Sequence, residues 1–194
     1  IATDSQCENT LVLKTLLDEL INFGIYEKLD ERIDYYLTSE TIEDFYQALL
    51  ASYEEEYGRD YVETVLSIIA ISKNGLTEQE ILSIVEGTPL AWSQLYCSFT
   101  GQLVSKKGII SYSHLYLRDA VMHRYLDTED KSAKYRKKII ASFKEGDSPR
   151  EWEELLHQHY CLGDTQSLSA LLQEVRIFNS IVKDHVDEMA LYIR

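Results

Sequence analysis

The sequence predicts a mainly α-helical chain with a single β-hairpin, and three observations carry that reading. Apolar residues recur at three- and four-residue steps through most of the 194 positions. Glycines and capping residues fall where those stripes end and begin. Only between Leu103 and Tyr112 does the pattern change, to β-branched and aromatic residues on both sides of a tight Lys106-Lys107-Gly108 turn.

Taken in order, Asn9 to Phe23 reads as an amphipathic helix with Leu13, Leu16, Leu17, Leu20 and Ile21 on one side and Gly24 as its stop. A shorter helix follows over Lys28–Leu37, with Leu29, Ile33 and Leu37 four residues apart, and Thr38 and Ser39 break it. Thr41 with Asp44 caps a third helix through Tyr57, striped by Ile42, Phe45, Leu49 and Tyr53. Within it, Glu54-Glu55-Glu56 reads most simply as a solvated face, with an acidic docking patch as the alternative. Gly58 is the best internal boundary, because the composition turns from acidic to neutral there.

Asp60 to Lys73 forms the next helix, with Val62, Val65, Leu66 and Ile69 inward, ended by Asn74-Gly75. Thr77 and Glu80 have capping-box spacing ahead of Ile81, Leu82 and Val85. Leu90–Phe99 is a third segment, the hairpin follows, and Ser113 is placed to cap a last helix carrying His114 in its first turn. Three helices, a two-stranded wing and a closing helix make a winged-helix unit ending near Leu126. Thr128 then opens a helix to about Phe143, with Lys134, Arg136, Lys137 and Lys138 as its basic face. Gly146-Asp147-Ser148-Pro149 reads as a turn, an N-cap and a first-position proline. The helix after it stops at Gly163-Asp164, a second follows at once as an αα-hairpin, and about one more is expected before Arg194. The expected organisation is therefore a helical domain over 1–58, a winged-helix domain over 59–127 and a helical arm over 128–194, the possible start of an α-solenoid.

Charge narrows the partners. The net charge is −14, and residues 1–58 hold 3 basic against 14 acidic side chains. Nucleic acid and anionic membrane both demand a positive footprint, so neither suits that part. No apolar run approaches the ~20 residues of a bilayer span. Cys7, Cys97 and Cys161 are widely spaced with no C-x-x-C pair, which fits reduced thiols and a cytoplasmic setting. The opening residues resemble neither an initiator nor a signal peptide, so a piece of a longer chain is expected.

Catalytic motifs are missing from the sequence: there is no P-loop, no G-x-G-x-x-G, no H-E-x-x-H and no nucleophile elbow. His157 and Cys161 share a helical face while His159 points away, so at most two metal ligands converge where structural zinc needs four. DNA readout would need Arg, Lys, Asn or Gln on the helix before the wing, yet Leu90–Phe99 offers only Gln94, with Lys106 and Lys107 on the wing. His114 is the sharpest candidate. A histidine at a helix start is commonly a cap or a packed side chain, but its ring and the first-turn N–H groups are also suited to a phosphate oxygen.

The run Ile110-Ser111-Tyr112-Ser113-His114-Leu115-Tyr116-Leu117-Arg118-Asp119-Ala120-Val121 resembles the winged-helix end of the signal-transduction NTPases with numerous domains. It is most similar to their NACHT type, in the nephrocystin-like branch where the ATPase is followed by helical repeats. In that family a histidine at this place contacts the β-phosphate of ADP and latches the closed state, and His114 matches it. Met122-His123 lies eight residues too late for a related signature and is set aside. Asn9-Thr10-Leu11-Val12-Leu13, with Phe23-Gly24, is similar to the motif that opens the family's helical domain; Thr10 stands where that motif has a proline against the adenine. Leu76-Thr77-Glu78-Gln79-Glu80-Ile81 also resembles the start of its winged helix.

The resemblance implies a regulatory segment, without catalysis of its own, of a parent that binds ADP or ATP with Mg. His114, Asn9 and Thr10 would face the nucleotide. The partners would be the upstream NTPase core and other protomers, with no cofactor on the isolated chain and neither DNA nor membrane as partner. A stand-alone helical and winged-helix interaction scaffold is the alternative, and a DNA-binding regulator the third.

Overall fold

The computed structural model describes residues 9–22, 28–85, 87–143, 146–184 and 192. Three helices come first: α1 (Thr10–Asn22), α2 (Leu29–Leu37) and α3 (Ile42–Tyr57). The cap of α3 is the expected one: the Thr41 hydroxyl accepts from Asp44 N at 3.1 Å, while Asp44 Oδ2 accepts from Thr41 N at 3.1 Å. Two otherwise orphaned N–H groups are satisfied reciprocally. Gly24 lies outside the described residues, as do Cys7 and Phe23.

At Gly58 the chain adopts φ +87° and turns directly into α4 (Arg59–Ile71). Then come β1 (Leu76–Thr77), α5 (Glu78–Ile84), α6 (Pro89–Ser98), the hairpin β2 (Leu103–Lys106) and β3 (Ile109–Tyr112), and α7 (Leu115–Tyr125). The hairpin turns on Lys107 and Gly108, both at positive φ, as a two-residue hairpin turn requires. The sheet holds one strand more than expected, because β1 pairs antiparallel with β3 and gives the order β1-β3-β2. Leu76-Thr77 is too short for alternation to announce it as a strand. Thr77 still caps α5 through the expected box with Glu80.

The arm consists of α8 (Glu129–Phe143), α9 (Pro149–Cys161), α10 (Thr165–Gln173) and α11 (Val175–Asp184). Ser148 caps α9 with Pro149 in the first turn, and Gly163 at φ +66° separates α9 from α10. The mainly α class with a β-hairpin is thus the observed one.

One apolar cluster runs from Val12 and Leu16 of α1 through α3, α4 and α7 to Phe143 and Leu155, so the core is continuous across Gly58. A small second cluster of Leu156, Leu168 and Ile177 holds the arm.

Three surface assignments change. Helix α1 buries Val12, Thr15, Leu16 and Glu19, leaving Leu17 and Ile21 exposed at 45% and 78%; its apolar stripe is wider than the face that packs. Glu54 is not a solvated glutamate, since both its oxygens accept from Arg124. Arg136 is drawn out of the basic face of α8 by a 2.7 Å bond to Gln158, a fully buried residue.

The C-terminus of α4 gathers these parts. The carbonyls of its last turn, Ala70 and Ile71 among them, are orphaned by helix geometry, whereas Leu66 O one turn earlier takes a side-chain bond besides its helical one. Tyr112 Oη donates to Leu66 O, Arg118 Nε to Ala70 O and Gln158 Nε2 to Ile71 O, at 2.8, 3.1 and 2.9 Å. The donors come from β3, α7 and α9, so one helix end ties the hairpin, the closing helix and the arm together. Glu154 completes the joint by accepting from Lys73 N and from Gln158 Nε2. Burial pushes the Glu154 carboxyl above its ordinary range.

Candidate functional site

His114 is itself the N-cap of α7, with extended backbone at φ −137°, ψ 149° and no side-chain capping bond. Ser113 does not cap this helix. Its hydroxyl bonds backward instead, to Gly101 O at 2.6 Å and Gln102 O at 2.9 Å, and its N–H also donates to Gln102 O. Closing the loop between α6 and β2 turns the serine hydroxyl backward as a donor to these carbonyls, and the cap moves one residue on. The imidazole of His114 is left exposed, followed by Leu115 and Tyr116 at 69% and 50% exposure.

Gln102 carries the link onward. Its Nε2 donates to Thr15 Oγ1 of α1 at 2.8 Å, and its Oε1 accepts from Tyr46 Oη at 3.4 Å. Tyr46 stacks against Tyr116, with ring planes 8° apart. Helices α1, α3 and α7 are therefore linked around one buried glutamine, which meets α1 at Thr15, in the middle of that helix. Asn9 and Thr10 open α1, and Thr10 lies about 7.5 Å along the axis from Thr15 at the usual helical rise. Asn9 caps its own helix, its Oδ1 accepting from Leu11 N at 2.9 Å, and Thr10 is exposed. No direct bond joins either residue to His114 among the described residues; the connection runs Thr15–Gln102–Ser113.

Further along α1 lies a buried polar cluster that sequence reasoning missed. Glu19, 7% exposed, accepts from Tyr36 Oη at 3.1 Å and from Tyr53 Oη. Tyr53 Oη also contacts Ser98 O at 3.0 Å, and Tyr57 Oη lies 2.6 Å from Ser98 Oγ, so the cluster reaches the end of α6. Burial raises the Glu19 carboxyl, opposed by the two tyrosine hydroxyls. A glutamate inside the apolar period of α1, with tyrosines on the next two helices, was the available signal.

The other candidates are placed as follows. Cys161 Sγ lies 3.7 Å from His157 Nε2, whereas His159 Nδ1 lies 3.0 Å from Asp164 Oδ2, so the two histidines serve different partners. No group of three metal-ligating side chains occurs among the described residues. Helix α6 buries Trp92 and Leu95 and exposes Leu90, Ser93, Gln94 and Cys97. No helix among the described residues is long and apolar enough to cross a membrane.

No protein-family model and no solved structure matches the chain. Two curated proteins are similar to it along nearly its whole length. A TPR repeat-containing protein of Dictyostelium discoideum is 25% identical over 190 residues, covering 93% of this chain and 11% of that protein. Nephrocystin-3 of Xenopus laevis is 25% identical over 195 residues, covering 92% of this chain and 15% of its own length. The chain thus spans a small part of the relatives it matches, one of which is named for its TPR repeats.

Proposed function

We propose that this chain is the regulatory helical and winged-helix segment of a larger NACHT-type switch NTPase, with its arm leading toward helical repeats. One observation carries the reading: His114 stands exposed at the N-cap position of α7, with no side-chain bond among the described residues. Similarity to nephrocystin-3 along 92% of the chain supports it. In this reading ADP sits between an upstream core and the His114 end, and the histidine donates to a phosphate oxygen. Exposed Leu115, Tyr116, Leu17 and Ile21 would pack against that core in the closed state. Exchange for ATP withdraws the contact and frees an assembly surface.

The magnitudes make His114 one contributor among several. Moving a switch from mostly closed to mostly open needs about 5.5 kcal/mol of differential binding. A hydrogen bond to a charged group supplies about 1.5–3 kcal/mol. The test is the assembly state of the full-length protein containing this chain, measured by mass photometry without added ATP. His114→Ala is expected to shift it to larger assemblies, and an unchanged distribution rejects the latch.

A second reading is a protein-interaction scaffold that uses no nucleotide. The similarity to a TPR repeat-containing protein and exposed Val175 and Phe178 on the arm favour it. It expects full-length protein free of nucleotide, with partner binding unaffected by His114→Ala.

A further inference from the structure

The outer face of α1 is apolar where a solvated helix would be polar. Val12, Thr15, Leu16 and Glu19 turn one side of the helix into the protein. On the opposite side Leu13, Leu17 and Ile21 follow one another at four-residue steps, one above the next. Leu13 is half-buried, Leu17 is 45% exposed, and Ile21, at 78%, is the most exposed large apolar side chain among the described residues. A single such residue on a surface is ordinary, whereas a row of them on one helix face marks an interaction surface.

Charge says what covers it. Lys14 and Asp18 lie together on one flank of that row, 3.5 Å apart, with the lysine side chain 60% exposed. A two-fold axis that sets two copies of α1 antiparallel brings the same flank of both helices together. With the axis at Leu17, that residue meets its own copy, and Leu13 lies opposite Ile21 of the other chain. Lys14 then falls within about 3 Å, along the helix, of the other chain's Asp18, at the usual rise of about 1.5 Å per residue. Each lysine meets an aspartate, and the arrangement repeats itself across the axis. A parallel pair would put the two flanks on opposite sides of the seam. Giving up the pair within the helix costs little, because it is exposed and a lysine N-terminal to its acid is the weaker order.

We propose that the outer face of α1 is a two-fold, antiparallel pairing surface for a second copy of this chain, closed by Leu13, Leu17 and Ile21 and set in direction by Lys14 and Asp18. One helix of 13 residues makes an interface at the small end of the range, so the dimer is weak and reversible. The pairing itself does not rest on the switch reading; its place as the assembly surface freed by nucleotide exchange does.

The test is sedimentation equilibrium of the 194-residue chain, without nucleotide and at physiological ionic strength. There the net −14 of each copy is largely screened beyond about 8 Å, while touching side chains are not. The wild type is expected to pass from monomer to dimer as concentration rises; a wild type that stays monomeric throughout overturns the proposal. Leu17→Ser with Ile21→Ser, both at exposed positions, should abolish the dimer. An undiminished dimer would put the interface elsewhere and overturn the site. Lys14→Asp and Asp18→Lys should each weaken pairing roughly tenfold by setting like charges opposite one another on both sides of the axis. An equimolar mixture of those two variants should recover the wild-type affinity, and a mixture no tighter than either variant alone overturns the antiparallel arrangement. Circular dichroism checks the fold of each variant. If the chain pairs as expected while the full-length protein releases no nucleotide, the pairing stands and the switch falls.

Discussion

Arg124 holds both oxygens of Glu54 with one edge of its guanidinium. Nε donates to one carboxylate oxygen and Nη2 to the other, each at 2.8 Å, across the turn at Gly58. Tyr125 Oη adds a third bond to Glu54 at 2.6 Å, and Arg124 Nη1 reaches Gln47 at 3.2 Å. Helix α3 is thereby fastened to α7 by charged bonds as well as by the shared core. Glu54→Gln is expected to cost about 1.5–3 kcal/mol, because it strands a partly buried guanidinium. Urea unfolding measures it; a change within error would make the pair a dispensable surface contact.

The same pair sets an acid limit. Arg124 holds the Glu54 carboxyl below its ordinary value. For such a group the stabilisation is complete above the unfolded-state pKa and is lost as pH falls through the folded one. Wild-type stability should therefore fall as the pH drops below about 4.3, the ordinary glutamate value. Glu54→Gln should flatten that limb; an unchanged acid limb would assign it to other groups.

Glu19 has the opposite sign. Its carboxyl is raised by burial, so the folded state holds the proton more tightly, and its contribution weakens as pH rises from the unfolded value through the folded one. Glu19→Gln keeps a hydrogen-bonding group between Tyr36 and Tyr53 and removes the buried charge, so it should be near neutral at pH 7. Glu19→Ala empties the space between the two tyrosines, whose hydroxyls keep only Ser52 Oγ and Ser98 O, and should cost about 1–3 kcal/mol. Equal melting temperatures for the two variants would contradict this account of the cluster.

Gly75 and Gly58 form a matched pair, both at φ +87°. A Cβ on Gly75 would stand 2.3 Å from Ile110 O, on the strand that pairs with β1, whereas one on Gly58 meets nothing within 4 Å. With ψ 131° as well, Gly58 lies in a region that only glycine enters readily, so Gly58→Ala should cost about 1–3 kcal/mol from backbone strain alone. Gly75→Ala should cost clearly more and disrupt the β1–β3 pairing, seen as faster amide exchange at Ile109 and Ile110. Equal costs would mean the strand yields freely.

Joining the arm to the rest, Gln158 is fully buried between Ile71 O, Glu154 and Arg136. Gln158→Ala removes the donor to a helix-end carbonyl and should destabilise by about 1–3 kcal/mol. Hydrogen exchange should then rise in α9 before α3. Protection unchanged in α9 would show that apolar packing alone holds the arm.

The elements with local chemistry were legible in the sequence. Thr41 with Asp44, Thr77 with Glu80 and Ser148 with Pro149 each mark a helix start whose partners lie within three residues. What escaped depends on residues far away in the chain. Glu54 looks like one of three solvated glutamates until Arg124 arrives 70 positions later. The packed face of α1 could not be chosen among its many leucines, because Glu19 is drawn inward by Tyr36 and Tyr53. Ser113 has the right identity for a cap, but the loop at Gly101–Gln102 competes for its oxygen and wins. At the candidate site, His114 was found through resemblance, whereas its place as the N-cap needed the structure, since only packing shows that Ser113 turns back to Gly101 and Gln102.

The most direct measurement of the central claim is the nucleotide released on denaturing the purified full-length protein, wild type beside His114→Ala. The account predicts stoichiometric ADP from the wild type and little from the variant. Equal ADP from both would contradict the latch, and no nucleotide from either would contradict the switch and leave the interaction scaffold.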